Sequence, residues 1–333
     1  MHRLTLTSVI ATGLLTVSSL VSAQQTVNVS YNVAEGSSWH QGAERFAELV
    51  EDYSDGAYVV RLHPNAALAG GSDRVEMEMT QSGAIQFLIK STTWMTGLDD
   101  RFQAIGLPWL FPSHDVANAV MDGPAGDVLF DDLDRRDLVG LAWGVNGFRQ
   151  VTNSEREITE PADLDGLRIR VPGIEMYLSI FNELGASPTT MNFAEVFTAL
   201  QTGAVDGQEN PMSLISSSRF SDVQDYMTIW NYSYDALAFV SGTPFWNSIS
   251  AEDQEMFTRA AQEAMDFQRE VVAQEDMELA DALADAGMTV TTLSDEQLAA
   301  FQEVLEPVYA AYKESLGADF VELFENGVAE ATE

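Results

Sequence analysis

Residues 166–211, GLRIRVPGIEMYLSIFNELGASPTTMNFAEVFTALQTGAVDGQENP, carry the strongest fold signal in the chain. Arg168 and Arg170 alternate with apolar residues, which predicts a short strand, and Pro172 ends its ladder. A helix follows, and a second helix with buried apolar residues is predicted to begin at the cap residue Asn192. We expect the closing Gly-Gln-Glu-Asn-Pro stretch to form a compact loop. Guanidinium, amide and aromatic groups in one segment indicate a pocket for a small organic anion.

Strand and helix patterns alternate on both sides of this segment, which predicts an α/β fold with a mainly parallel sheet. The helix that begins near Ser250 is too long for one small lobe, so we expect it to brace two. The predicted strands cover 26–33, 57–62, 84–89, 138–145 and 237–241, and the predicted helices run from about 37, over 73–81, over 115–133, from 250 to about 286 and from 294 to about 324.

The first residues resemble an export signal. A weakly basic start precedes an apolar stretch, and Val21-Ser22-Ala23 fits a small-residue cleavage site. A membrane anchor fits less well, because hydroxyl residues interrupt a short apolar core. We therefore predict a signal peptide over 1–23, a periplasmic location and a chain that is not lipid-anchored, since no cysteine follows the cleavage site.

Composition narrows the classes of function. The chain has no cysteine, which excludes disulfides, thiolate metal sites and cysteine nucleophiles. Its 52 acidic and 16 basic residues give a formal net charge of -36, so nucleic acids and anionic membranes are poor partners. Such an excess of carboxylates, with lysine only at Lys90 and Lys313, predicts adaptation to high salt, where self-repulsion is screened.

The RVP-ending strand, the order of the two helices and the VDGQENP stretch closely resemble the solute-binding subunits of tripartite ATP-independent periplasmic (TRAP) transporters, dicarboxylate-receptor type. The resemblance extends over nearly the whole mature chain. It implies the two-lobed periplasmic binding protein fold, with lobe one at about 24–147 plus 236–275 and lobe two at about 148–235 plus 276–333. It also implies a membrane permease as partner and no cofactor; we expect a monomer.

Four residues of this central region are candidate ligand contacts. In the family that this chain resembles, the second arginine of the RVP strand binds the ligand carboxylate, which assigns that role to Arg170. A planar guanidinium donates two parallel hydrogen bonds to a carboxylate. The resemblance adds Arg149 of the NGxR segment, Asn210 of QENP and Phe193 as an aromatic wall. Without the resemblance, the helical spacing of Phe193 indicates an ordinary core residue. The alternatives for the other three are a surface salt bridge for Arg170, a hinge arginine paired with an acidic side chain for Arg149 and a turn asparagine for Asn210.

Lys90 directly follows an apolar strand, and ligands of α/β proteins gather at the carboxyl ends of strands. We consider it as a third cation over the ligand, the alternative being a solvent-facing lysine. Further candidates are weaker individually. Asn32, Glu35 and His40 follow the opening strand, and Trp94 and Asp235 are placed on the other side of the pocket. We expect no metal site, because the four histidines are scattered.

The residues favour a periplasmic receptor over an enzyme. No GxSxG, P-loop, HExxH or GxGxxG motif occurs in its required context. An exported carbohydrate-active hydrolase is the alternative, since paired acids cannot be singled out among so many carboxylates. The receptor of an ATP-driven importer is a third interpretation, which the QENP signature disfavours. For the ligand, a uronate or another sugar acid comes first, then a four-carbon dicarboxylate, with an amine or zwitterion left open.

Overall fold

A computed structural model describes residues 24–333, so the predicted signal peptide lies outside the described residues. Across that range, no helix has the length and apolar character needed to cross a membrane. The strands, numbered along the chain, are β1 (Gln25–Ser30), β2 (Tyr58–His63), β3 (Phe87–Ser91), β4 (Leu138–Asn153), β5 (Arg168–Val171), β6 (Ser187–Thr190), β7 (Gly207–Pro211), β8 (Tyr226–Ile229), β9 (Tyr234–Gly242) and β10 (Thr289–Thr292). The α-helices are α1 (Ser38–Tyr53), α2 (Asp73–Gln81), α3 (Thr92–Met95), α4 (His114–Met121), α5 (Pro124–Leu133), α6 (Glu175–Glu183), α7 (Phe193–Gln201), α8 (Met212–Ser217), α9 (Thr243–Trp246), α10 (Ala251–Asp285), α11 (Asp295–Leu316) and α12 (Ala318–Thr332).

Strand β4 belongs to two sheet halves. Up to Phe148 it pairs antiparallel with β9, and β3, β1 and β2 follow outward. From Arg149 onward it pairs antiparallel with β7, which is followed by β5 and β6. The pairs β1–β2, β1–β3, β5–β6 and β5–β7 are parallel. The expectation of a mainly parallel sheet is therefore wrong at the centre of the fold, where β4 pairs antiparallel with β9 of one half and with β7 of the other.

Helix α10 packs against both halves, as predicted from its length. Ser250 caps it by accepting a hydrogen bond from the Asp253 amide, and its 35 residues span about 52 Å. Phe257 and Met265 lie in the core beneath β1, β3 and β9, whereas Leu283 lies in the core formed around α7.

Several predicted elements differ in detail. The helix expected over 115–133 is two helices, because Pro124 begins a new one at its first helical position. The last helix likewise breaks at Gly317, which has a φ of 97°. The expected Gly-Gln-Glu-Asn-Pro loop is instead the fully buried strand β7. The lobe boundaries at 24–147 plus 236–275 and 148–235 plus 276–333 stay a prediction.

Candidate ligand-binding site

A narrow polar cavity lies where the carboxyl ends of β1, β3, β5 and β7 converge around the middle of β4. The space between its lining residues is about 310 Å³, part of which is open to solvent. Two arginines and no carboxylate are among the side chains that line it. The lining residues are Asn32, Val33, Trp39, Ser91, Thr93, Trp94, Asn146, Arg149, Arg170, Pro172, Phe193, Asn210 and Leu214.

Arg170 is a lining cation that has no carboxylate partner among residues 24–333. It sits in β5 between β6 and β7 and is only 1% exposed. Within the described range, its guanidinium hydrogen-bonds only to the Met191 carbonyl, with Nη2 at 2.8 Å and Nε at 3.2 Å. Burial lowers the pKa of Arg170 to about 10, which leaves the group charged at neutral pH. By contrast Arg168, at the exposed start of the strand, is paired with Asp206.

Arg149 stands at the residue where β4 changes sheet halves, and its charge is already compensated. Nε and Nη2 donate to the two carboxylate oxygens of Glu209 at 2.5 and 2.9 Å, and Nη1 donates to Asp235 at 2.8 Å. Burial opposes the charge, but the two carboxylates outweigh it and raise the pKa of Arg149 well above its ordinary value. The nearby Gly147 has a φ of 121°, and a side chain there would press on Pro211.

Asn210 and Phe193 also line the cavity. The Asn210 amide accepts a hydrogen bond from Arg149 Nη2 at 3.1 Å and donates to Gln208 Oε1 at 2.6 Å, so its orientation is fixed. Phe193 opens α7 and makes an edge-on contact with Phe220. It is half-buried rather than part of the core, which suits a cavity wall.

Asn32 and Trp94, two of the weaker candidates, are at the cavity as well. Asn32 Nδ2 donates to Asp73 Oδ1 at 2.6 Å, while its Oδ1 is buried and has no hydrogen-bond partner in the described part of the chain. The Trp94 ring lies 5.6 Å from Lys90 Nζ, measured to the ring centroid.

The other four candidates do not line the cavity. Lys90 is fully buried, and its ammonium donates to Asp73 Oδ1 at 2.5 Å and to Glu76 Oε2 at 2.6 Å on α2. It is therefore neither a solvent-facing lysine nor an uncompensated cation. Glu35 is exposed in the turn before α1. The His40 ring is 2.5 Å from the Tyr31 hydroxyl. Asp235 is buried behind Arg149, with further hydrogen bonds from hydroxyl and amide groups.

The sequence interpretation missed several lining residues. Ser91 is the last residue of β3 and Thr93 follows two residues later, so the strand-end rule that selected Lys90 also applies to them. Trp39 and Asn146 are joined by a hydrogen bond of 3.0 Å from the indole nitrogen. No local pattern marks this pair, because its members are 107 residues apart.

Two α/β halves joined by a shared strand and a long helix, with a polar cavity and a buried arginine at their junction, define a two-lobed ligand-binding protein. The chain belongs to the TRAP periplasmic solute-binding proteins. Its residues 29–315 match the family model described as bacterial extracellular solute-binding protein, family 7. Members of this family are solute receptors that bind a ligand and deliver it for transport.

Three similar proteins illustrate the range of ligands. The C4-dicarboxylate-binding periplasmic protein DctP of Rhodobacter capsulatus is 33% identical over 307 residues, covering 91% of both chains. The crystal structure of a sugar acid binding protein from Advenella mimigardefordensis with galactonate has a TM-score of 0.89 and 33% identity, covering 92% of this chain and 99% of that one. A TRAP solute-binding protein from Shewanella oneidensis with bound succinate has a TM-score of 0.87 and 31% identity, with the same coverage.

Proposed function

We propose that this chain binds a small organic acid in the cavity, with the ligand carboxylate on Arg170. A uronate or another sugar acid is the favoured ligand, and a four-carbon dicarboxylate is second. The relatives support this range, since one is named for C4-dicarboxylates and two were solved with galactonate and succinate.

The uncompensated charge of Arg170 carries the proposal. A buried cation without an ionic partner is costly, and a ligand carboxylate would supply that partner. The fork of the guanidinium would also orient the acid. The remaining lining groups are neutral apart from Arg149, so they contribute hydrogen bonds and aromatic walls rather than charge.

In this function the protein performs no chemistry. The two lobes close on the ligand, and the closed form delivers it to the TRAP permease in the membrane. The free energy for closure comes from the difference in ligand affinity between the open and closed states. Fluorescent labels on the two lobes should move closer together when ligand is added.

A thermal-shift screen of organic acids tests the proposal. A ligand at a hundredfold excess over its dissociation constant adds about 2.7 kcal/mol to the free energy of unfolding. The acid should be recovered unchanged after incubation, whereas a carbohydrate-active hydrolase would release products. The absence of stabilisation by any sugar acid or dicarboxylate would refute the proposed function.

A further inference from the structure

All buried charged side chains of residues 24–333 gather around the cavity. Each is 3% exposed or less, although the chain carries dozens of other charged residues on its surface. Ion pairs and short-range charge interactions connect them into one group. We call this group the buried charge cluster; its members are Asp73, Glu76, Lys90, Arg149, Arg170, Glu209 and Asp235.

The buried charge cluster already contains one more carboxylate than cations. Lys90 is shared by two carboxylates of α2, and Arg149 is shared by Glu209 and Asp235. Arg170 is the one cation of the cluster that contacts no carboxylate. In total the cluster holds four carboxylates and three cations. A ligand with one carboxylate finds its partner in Arg170. A second ligand carboxylate would find no uncompensated cation and would add to an existing negative excess.

Asn32 presents a hydrogen-bond acceptor at the cavity. Its Nδ2 donates to Asp73 Oδ1, the oxygen that also accepts from Lys90 Nζ. A flipped amide would place its oxygen against that carboxylate, so the charge pair fixes the orientation. The Asn32 Oδ1 is therefore held as a buried acceptor that has no donor among residues 24–333. A buried acceptor rejects a ligand that cannot donate to it, because its own hydrogen bond is then lost.

From these two observations we propose that the site selects a monocarboxylate that carries a hydroxyl donor and discriminates against dicarboxylates. Arg170 takes the carboxylate, Asn32 accepts from a hydroxyl, and Asp73 acts as a positioning residue through Asn32. The inference rests on the proposed function and narrows its ligand class to hydroxylated acids with one negative charge, such as aldonates.

Matched acids test the charge limit. Galactonate and galactarate share their hydroxyl stereochemistry but differ by one carboxylate, as do erythronate and meso-tartrate. In calorimetric titrations of the unmodified protein, we expect each monocarboxylate that binds to have an affinity at least about tenfold higher than that of its dicarboxylate partner. Equal or tighter binding of the dicarboxylates would overturn the inference while leaving the organic-acid function intact. If no acid binds, the proposed function itself fails, and this inference with it.

Asn32→Ala tests the hydroxyl acceptor. We expect erythronate affinity to fall about tenfold or more, while butanoate, which has no hydroxyl, changes little. Asn118→Ala is the matched control, since this asparagine is half-buried on α4 away from the cavity. Equal losses for erythronate and butanoate would show a structural effect and would overturn the assigned role of Asn32.

Asp73→Asn tests the charge balance itself. The amide oxygen can still accept from Asn32 and Lys90, but one negative charge is removed from the buried charge cluster. We expect the preference for galactonate over galactarate to shrink about tenfold. Asp115→Asn, at an exposed position of α4, changes the net charge equally and should leave the ratio unchanged. An unchanged ratio in Asp73→Asn would overturn the charge argument.

Discussion

The interior and the surface of this protein treat charge in opposite ways. Inside, four carboxylates and three cations form a nearly balanced group, and two of the cations hold two carboxylates each. Outside lies almost the whole net charge of -36. Across residues 24–333, most surface carboxylates form no ion pair, and those that do are paired with arginine, lysine or histidine. Water and salt ions stabilise the surface charges, whereas buried charges must be compensated by the protein or by a ligand. Among the buried cations of residues 24–333, Arg170 is the one without a carboxylate partner, and we propose that a ligand supplies it.

Breaking a compensated interior pair should have the largest effect. In Arg149→Met, Glu209 and Asp235 lose their cation while remaining buried. We expect the free energy of unfolding to fall by about 3–5 kcal/mol, measured by urea denaturation. Adding Glu209→Gln should recover part of this loss, because it removes one of the stranded charges. If the free energy of unfolding fell by less than about 1 kcal/mol, as expected for an exposed ion pair, the contrast between interior and surface charges would be contradicted.

Removing the uncompensated interior charge should instead affect binding. We expect Arg170→Ala to weaken the cognate acid by about 2–5 kcal/mol in calorimetric titration, while the free energy of unfolding is unchanged or higher because a desolvated charge is gone. Arg170→Lys should rescue little, since an ammonium lacks the planar fork. Undiminished affinity in either variant would place the carboxylate elsewhere.

Salt should act on the surface and not on the interior. The Debye screening length falls from about 10 Å at 0.1 M salt to about 3 Å at 1 M salt, which weakens repulsion among the surface carboxylates. We expect the melting temperature to rise by a few degrees over this range, on the order of 1 kcal/mol. Adaptation to high salt stays a prediction until this is measured, and a melting temperature that falls with salt would refute it.

The smallest effect is expected at an exposed pair. Arg74 Nη1 lies 2.9 Å from Glu78 on the surface of α2, and both side chains are more than half exposed. Arg74→Gln should change the free energy of unfolding by less than about 1 kcal/mol, in the same urea assay used for Arg149→Met. A change as large as that of Arg149→Met would remove the distinction between buried and exposed pairs.

Local signals were sufficient for much of the fold. The cap at Ser250 and the helical pattern after it predicted α10 nearly to its ends, and the alternation around Arg170 predicted β5. The QENP stretch was expected to be a loop, because its residues disfavour strands when considered alone. It forms a buried strand because it pairs with β4 and β5, and Glu209 also pairs with Arg149, 60 residues earlier; no local pattern contains these contacts.

The same reason limited the prediction of the site. Arg149, Arg170 and Lys90 have similar local signals, and only their partners distinguish them. The carboxylates that pair with Lys90 belong to Asp73 and Glu76 on α2. The sequence pattern predicts this helix but does not show which of its side chains face Lys90. The sequence distinguishes Arg170 only through the resemblance of its RVP strand to the family. Its lack of a carboxylate partner is visible only in three dimensions.

Strand β4 has a consequence for how the molecule comes apart. The single strand β4, Leu138–Asn153, pairs with β9 of one sheet half and with β7 of the other. Helix α10 contributes side chains to the core of each half. If one half unfolds, the other half loses the pairing of β4 and the packing of α10. We therefore expect the two lobes to behave as a single cooperative unit that heat unfolds in one transition rather than as independent domains.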